Sequence, residues 1–397
     1  MRTIYLDNNA TTRTDDLVLE EMTPFFGKLY ANPSSMHSFG GSVQKHIDTA
    51  RERVSGLIGA EPEEIIFTSC GTESDNTAIW SALRAYPEKR HLVTSRVEHP
   101  AVLNLCKFLE SQGYHVTYLP VDSRGNISLD ELRAAVTDKT AAVSLMHANN
   151  ETGTIFPVEE AAKIVRAKGS IFHTDAVQAA GKIQMNMKES FIDMLSLSGH
   201  KLHAPKGIGA LYIRKGTRFM PFMMGGHQEH GRRAGTENVP YIAALGKAAE
   251  LARLHINTET QQAKKLRDRL ETELLKIIPN SKINGNPELR LPNTTNISFE
   301  FVEGESILLL LSEKGIAASS GSACTSGSLE PSHVLRAMGV PYTFAHGSVR
   351  FSLSRYNTDE DIDTVIKVMP DIIKRLREIS PFKEGKPIFG QQCQSHH

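Results

Sequence analysis

Short runs of β-branched and other apolar residues recur between about residues 60 and 214, at 65–69, 91–95, 115–119, 141–146, 171–175, 194–198 and 208–213. Several are separated by segments whose apolar residues return every three or four positions, over 101–112, 129–136 and 158–167. Strand-like runs alternating with helix-period segments predict βαβ units, and hence a seven-stranded, mostly parallel sheet covered on both faces. In such α/β sheets ligands bind outside the carboxyl ends of the strands, so the polar residues just after each run are the first candidates for chemistry. Beyond Gly235 the pattern changes. Residues 239–254 and 261–278 read as two long helices, the second with a solvated charged face. Further strands at 296–301 and 349–354, with helices at 306–313 and 359–378, predict a smaller α+β unit that a strand at 3–6 joins. The expected division is a large domain over 16–258 and a small one built from 1–15 and 259–397. The tail beyond Pro381, rich in Pro, Gly, Gln and His, is expected to be loosely ordered. No internal repeat is present.

Composition narrows the class without changing this outline. The 397 residues carry 45 Lys+Arg against 45 Asp+Glu, with 40% hydrophobic and 23% charged residues. These values are those of a soluble globular chain and exclude dominant disorder. Charge balance removes the basic footprint of a nucleic-acid or anionic-membrane binder. No apolar run reaches spanning length, and the first residues turn polar too soon for a signal peptide. Cys70, Cys106, Cys324 and Cys393 lie far apart with no CxxC pair, which reads as free thiols in a cytoplasmic protein. The closing His396-His397 reads as a solvated end rather than a metal site.

Five successive strand exits carry groups with chemical potential. Cys70-Gly71-Thr72 joins a strand to a helix, where glycine lets the backbone approach a phosphate and the helix supplies amides and dipole. His99 follows the next strand and is placed to stack on a flat ring or move a proton. Asn149-Asn150 follows another. Asp175 ends a strand, where its carboxylate suits a pyridinium nitrogen; taken alone, such an aspartate is usually a helix cap. Gln178, one turn on, faces a phenolate oxygen in the same arrangement. Ser198-Gly-His200-Lys201 supplies two phosphate donors and a lysine whose burial would free its amine for a Schiff base with an aldehyde cofactor. A lone lysine there is ordinarily a surface residue, and Lys206 is a rival in the same loop; Lys201 is nearer the strand. Together the five exits describe a pyridoxal-phosphate site. Separately, Cys324 lies in the Gly/Ser-rich stretch Ser319-Ser-Gly-Ser-Ala-Cys324-Thr-Ser-Gly-Ser328, an unusual place for a residue type that is normally buried. Cys106 reads as core, and Cys70 as a small packed residue beside the phosphate loop.

Nearly the whole chain resembles the cysteine desulfurases of the nitrogen-fixation and iron–sulfur-cluster type, within the class V aminotransferases of fold type I. The most specific pieces are Ser198-Gly-His-Lys201 and Ser320-Gly-Ser-Ala-Cys324-Thr. Tyr5-Leu-Asp-Asn-Asn-Ala-Thr-Thr12, Asn32-Pro-Ser-Ser35 and Arg350-Phe-Ser-Leu-Ser-Arg-Tyr356 extend the match. Leu329-Glu-Pro-Ser-His-Val-Leu-Arg336 and Ala345-His-Gly-Ser-Val-Arg350 look more like the nitrogen-fixation branch. The resemblance implies pyridoxal 5'-phosphate linked to Lys201. Asp175 would face its ring nitrogen, Gln178 its phenolate oxygen and His99 its face. Gly71, Thr72, Ser198 and His200 would hold the phosphate, with Asn150 alongside. Asn32 and Arg350 would bind the substrate carboxylate. Thr236, in Gly231-Arg-Arg-Ala-Gly-Thr236, would reach the phosphate of a neighbouring subunit in a homodimer.

The implied reaction converts L-cysteine to L-alanine. Lys201 takes the α-proton, His99 or Lys201 handles the later proton transfer, and Cys324 accepts the sulfur as a persulfide. An iron–sulfur scaffold protein would receive the sulfur, with Cys324 at most a transient cluster ligand there and no permanent metal site. The alternatives are an ordinary aminotransferase, a selenocysteine lyase and a non-enzymatic iron–sulfur scaffold; scattered thiols without ligand spacing speak against the last.

Overall fold

The computed structural model describes residues 2–320 and 331–381. Cys324, Cys393, His396 and His397 lie outside the described residues. A two-residue strand, β1 (Ile4–Tyr5), precedes α1 (Asp16–Met22) and α2 (Ser38–Ile58). The alternating region then runs β2 (Ile65–Thr68), α3 (Gly71–Ala85), β3 (His91–Ser95), α4 (Pro100–Ser111), β4 (His115–Leu119) and α5 (Leu129–Ala135). It continues through β5 (Thr140–Met146), α6 (Val158–Ala167), β6 (Ile171–Asp175), β7 (Met194–Ser198) and β8 (Gly209–Ile213). All seven runs expected from the sequence form strands of one sheet, in the order β2-β8-β7-β6-β5-β3-β4. β8 is antiparallel to both neighbours and every other pairing is parallel.

Successive residues of each central strand enter opposite cores, as the period of two requires. Leu92, Ala142, Ile171, Met194 and Leu211 pack under α3 and α4, among Ala78, Ile79, Val102 and Leu109. Their immediate successors Val93, Val143, Phe172, Leu195 and Tyr212 face the other way, into a cluster with Val43, Ile47 and Leu245. Burial on both faces explains why these strands read as continuous apolar runs rather than as alternating ones.

The C-terminal third departs from expectation in one respect. Instead of two helices, residues 239–277 form a single one, α7 (Val239–Ile277), 39 residues long and hence about 58 Å. The intervening His255-Ile-Asn-Thr-Glu-Thr260 is polar but contains no Gly or Pro to stop a helix. Its first half contributes Ile242, Leu245 and Ala249 to the large core, and its second half Leu266, Leu270 and Leu274 to a separate one. After β9 (Ser281–Asn284), that second core is joined by β10 (Thr294–Phe299), α8 (Gly304–Glu313) and β11 (Ile316–Ala317). After α9 (His333–Ala337) and α10 (Tyr342–Ala345) come β12 (Ser348–Ser352) and α11 (Asp359–Ile379). β12, β10 and β9 make an antiparallel sheet, while β1 pairs in parallel with β11. The opening strand thus joins the C-terminal unit. Val334, Leu335, Met338 and Ala345 follow the opposite rule: late in the chain, they pack in the large core. No helix among the described residues is long and apolar enough to cross a membrane.

Candidate active site

A cavity of about 340 Å³ opens at the carboxyl ends of β2, β3, β5, β6 and β7. It is lined by Gly71, Thr72, His99, Asn150, Asp175, Gln178, Ser198, His200, Lys201 and Arg350. These come from five strand exits and from β12. Two other candidates do not line it. Asn32 is exposed, its side-chain oxygen accepting from Ser34 N at 2.9 Å. Thr236, also exposed, borders a separate hollow with Ser69, Gly207 and Arg233.

At one end of the cavity α3 begins without a side-chain cap: its N-cap residue, Cys70, makes no such hydrogen bond. The first amides of a helix have no intrahelical acceptor, and the dipole favours an anion there. Gly71 is fixed by space, because a Cβ on it would lie 2.8 Å from Val177 Cγ2. Ser198 sits across from it at the end of β7. His200 Nδ1 is 3.1 Å from Thr11 Oγ1, and burial first, then Lys201, holds this imidazole down to about 4. It is therefore a neutral donor. Overpacking costs about 1–3 kcal/mol. A Gly71→Ala variant is accordingly expected to bind pyridoxal 5'-phosphate about tenfold or more weakly, measured by titrating the cofactor-free protein.

The middle of the cavity is set by Asp175 and His99. Burial raises the Asp175 carboxyl above the usual range, against the pull of a backbone bond from Val177 N (2.9 Å) and of His99 and Lys201. A cationic ring nitrogen beside it would offset that burial. His99 caps α4, its Nδ1 accepting from Ala101 N at 3.1 Å, so Nε2 carries the proton of the neutral ring. Burial lowers its basicity further. Asp75, in the first turns of α3, is a residue that the sequence did not single out. It too lines the cavity, is 1% exposed, and is pushed well above the carboxylate range by burial and then by Asp175. Burial likewise lifts Glu98 to about 8. Burial thus works against the charged form of both carboxyls beside Asp175.

Lys201 Nζ donates to the carbonyl oxygens of Asn9 (2.5 Å) and Ala10 (2.6 Å). Burial, then Arg350, lowers its pKa to about 8, with Asp7 and Asp175 opposing. Lys206, the other lysine of the loop, is exposed and absent from the cavity wall. Arg350 is held by Asp7 Oδ1 at 2.6 Å and by the carbonyl of Asn150 at 3.0 Å. Asp7 and Asn9 were legible only as part of a polar motif after β1; their partners lie 343 and 192 residues away. Lys182, which the sequence did not single out, is a second amine held low, to about 7, chiefly by burial. Cys106 is buried in the core, its thiol pushed up to about 12 by burial, while Cys70 is half-buried at the cavity edge.

An uncapped helix terminus with a glycine that tolerates no Cβ, a buried carboxyl and a neutral-prone lysine amine fit the phosphate, ring and aldehyde of pyridoxal 5'-phosphate. Fold and site together define a pyridoxal-phosphate enzyme of transferase fold type I. A family model described as aminotransferase class-V matches residues 4–365. A cysteine desulfurase of Nostoc sp. is 64% identical over 97% of this chain and 96% of its own length. Cysteine desulfurase NifS of Azotobacter vinelandii is 58% identical over 97% and 96%. A solved structure titled NifS-like protein is 42% identical, with a TM-score of 0.88 over 94% of this chain and all of the other. The chain belongs to the class-V aminotransferase family, whose cysteine desulfurases depend on pyridoxal 5'-phosphate.

Proposed function

We propose that this enzyme is a cysteine desulfurase: it converts L-cysteine and an enzyme thiol, that of Cys324, to L-alanine and an enzyme persulfide. The observation that carries the reading is the convergence of Lys201, Asp175 and Arg350 on one cavity beside the α3 terminus, in a chain sharing 64% of its residues with a cysteine desulfurase. When bound, the cofactor supplies an electron sink for the substrate's α-carbon. The chain's own residues do the rest. Gly71, Thr72, Ser198 and His200 hold the phosphate, and Asp175 and His99 fix the ring. Arg350, which lines the cavity, takes the substrate carboxylate. The Lys201 amine removes the α-proton, a task its depressed pKa suits. Cys324 attacks the substrate sulfur as thiolate; the carbon–sulfur bond breaks, the sulfur leaves as the outer atom of the persulfide, and His99 and Lys201 return two protons to the framework, one to the β-carbon and one to the α-carbon, giving alanine. A reducing thiol or an acceptor protein then removes the sulfur.

Residues 16–258 form the unit that holds the cofactor, and 1–15 with 259–397 the unit that carries Cys324. The sulfur goes to an iron–sulfur scaffold protein in the cytoplasm, for clusters that include those of nitrogenase; the 58% identity to a NifS protein supports that destination. The working form is a homodimer in which Thr236 completes the phosphate site of its neighbour. In support, Thr236 is exposed and stands apart from its own chain's cavity.

The deciding assay follows L-cysteine to its products. Alanine and, with a reducing thiol, sulfide in equal amounts are expected; pyruvate in place of alanine would point to eliminating lyase chemistry, and a 2-oxo acid that keeps its sulfur to an ordinary aminotransferase. For the dimer, mixing Thr236→Ala with Lys201→Ala subunits should restore part of the activity through hybrids with one intact site. A fully active monomer at every dilution would overturn it.

A further inference from the structure

The chain turns sharply after Gln178. Gly181 adopts φ +71°, and a Cβ there would sit 2.5 Å from Leu202 Cδ2, so any other residue would be strained at this position. The next residue, Lys182, is thereby brought back against Gln178. Its Nζ donates to the Gln178 carbonyl at 3.1 Å and to the side-chain oxygen Oε1 at 3.3 Å. On the opposite side, Gln178 Nε2 donates to the Asn9 carbonyl at 2.9 Å, the same oxygen that receives Lys201 Nζ. Lys182, Gln178, Asn9 and Lys201 form one chain of hydrogen bonds between the core and the cavity wall.

This arrangement settles which way the Gln178 amide faces. Lys182 Nζ carries N–H donors whether or not it is protonated and gives them to Gln178, and a backbone carbonyl accepts only. The amide oxygen must turn toward Lys182 and the NH2 group toward Asn9 and the cavity; the reverse orientation would set donor against donor and oxygen against oxygen. We propose that Lys182 is a positioning residue that locks the Gln178 amide with its N–H groups facing the cofactor's phenolate oxygen. The proposal rests on the reading of the cavity as a pyridoxal-phosphate site with Gln178 on that oxygen. Without Lys182 the Asn9 carbonyl alone orients the amide, and the amide oxygen loses its partner on the far side, so the rotated amide that turns oxygen to the anion becomes more populated.

A donor to the phenolate stabilises the anion most when the neighbouring nitrogen has lost its proton, and so lowers the pH at which the bound cofactor changes colour. The absorbance of the holoenzyme is therefore titrated with pH for wild type, Lys182→Met, Gln178→Leu and the double variant. Lys182→Met keeps the apolar stem and removes the donors. Its midpoint is expected to rise by roughly half a pH unit or more, the size of one ordinary hydrogen bond. The Gln178→Leu midpoint is expected to rise at least as far, and the double variant no further than Gln178→Leu. Lys182→Arg, which keeps N–H donors, is expected to titrate as wild type. A shift in Gln178→Leu with none in Lys182→Met, fully additive shifts, or a Lys182→Arg shift as large as that of Lys182→Met would each overturn the role of Lys182. No shift in Gln178→Leu would instead remove the underlying placement of Gln178.

Discussion

Replacing Lys201 by alanine is expected to slow desulfuration of L-cysteine by at least about 10³-fold, the scale of losing a positioned acid–base group together with a covalent anchor. The fold should survive, because the hydrogen bonds lost are those of one side chain to the carbonyls of Asn9 and Ala10. Borohydride reduction of the wild-type holoenzyme followed by peptide mapping should place the label on Lys201. The structure makes this a sharper test than the sequence did, since Lys182 is also a low-pKa amine and is close by. Label on Lys182 or Lys206 would defeat the assignment.

The pKa of about 8 has two consequences for the cofactor-free protein. At pH 7 roughly one Lys201 amine in ten is neutral, against a few in ten thousand for an unperturbed lysine. Cofactor uptake should therefore accelerate with pH and level off above about 8, as stopped-flow absorbance would show. For stability the sign is that of a cation disfavoured by folding. The folded pKa lies below the unfolded value of 10.5, so between about 8 and 10.5 the unfolded chain binds more protons. Stability rises with pH across that window, and the full penalty applies below 8. In denaturant titrations the contribution of Lys201, taken as the difference from Lys201→Met, should become less unfavourable from pH 8 upward and stay constant below it.

Cys324→Ala is expected to separate cofactor chemistry from sulfur chemistry. Every cofactor contact named above comes from residues other than Cys324, so the variant should load with pyridoxal 5'-phosphate normally and still change its absorbance on adding L-cysteine. With no thiolate to take the sulfur, catalytic alanine should fall to background and no persulfide should be trapped by alkylation and mass spectrometry. Cys106→Ala, which alters only a buried thiol with a pKa near 12, should keep most of the turnover, as should Cys70→Ala. Near-wild-type release of alanine and sulfide from Cys324→Ala would falsify the desulfurase mechanism.

The sequence by itself determined the sheet and most of the cavity wall. Burial on both faces forces each central strand to be apolar throughout, which left seven readable runs with ends within one residue of those observed. Parallel strands all discharge at one edge, so most of the polar residues that line the cavity are those that follow the runs. Tertiary structure alone decided the rest. The 39-residue α7 persists through a polar stretch because its two halves are buried in different cores, a reason that no local propensity contains. Asp7, Asn9, Asp75 and Lys182 had no signal of their own: an aspartate or lysine looks the same in sequence whether it is solvated or buried against a partner. Their roles arise from hydrogen bonds that span up to several hundred residues and from the loss of water around charges brought together. Both are properties of packing, which is why the sequence showed where the chemistry is and only the fold showed how its groups are held and charged.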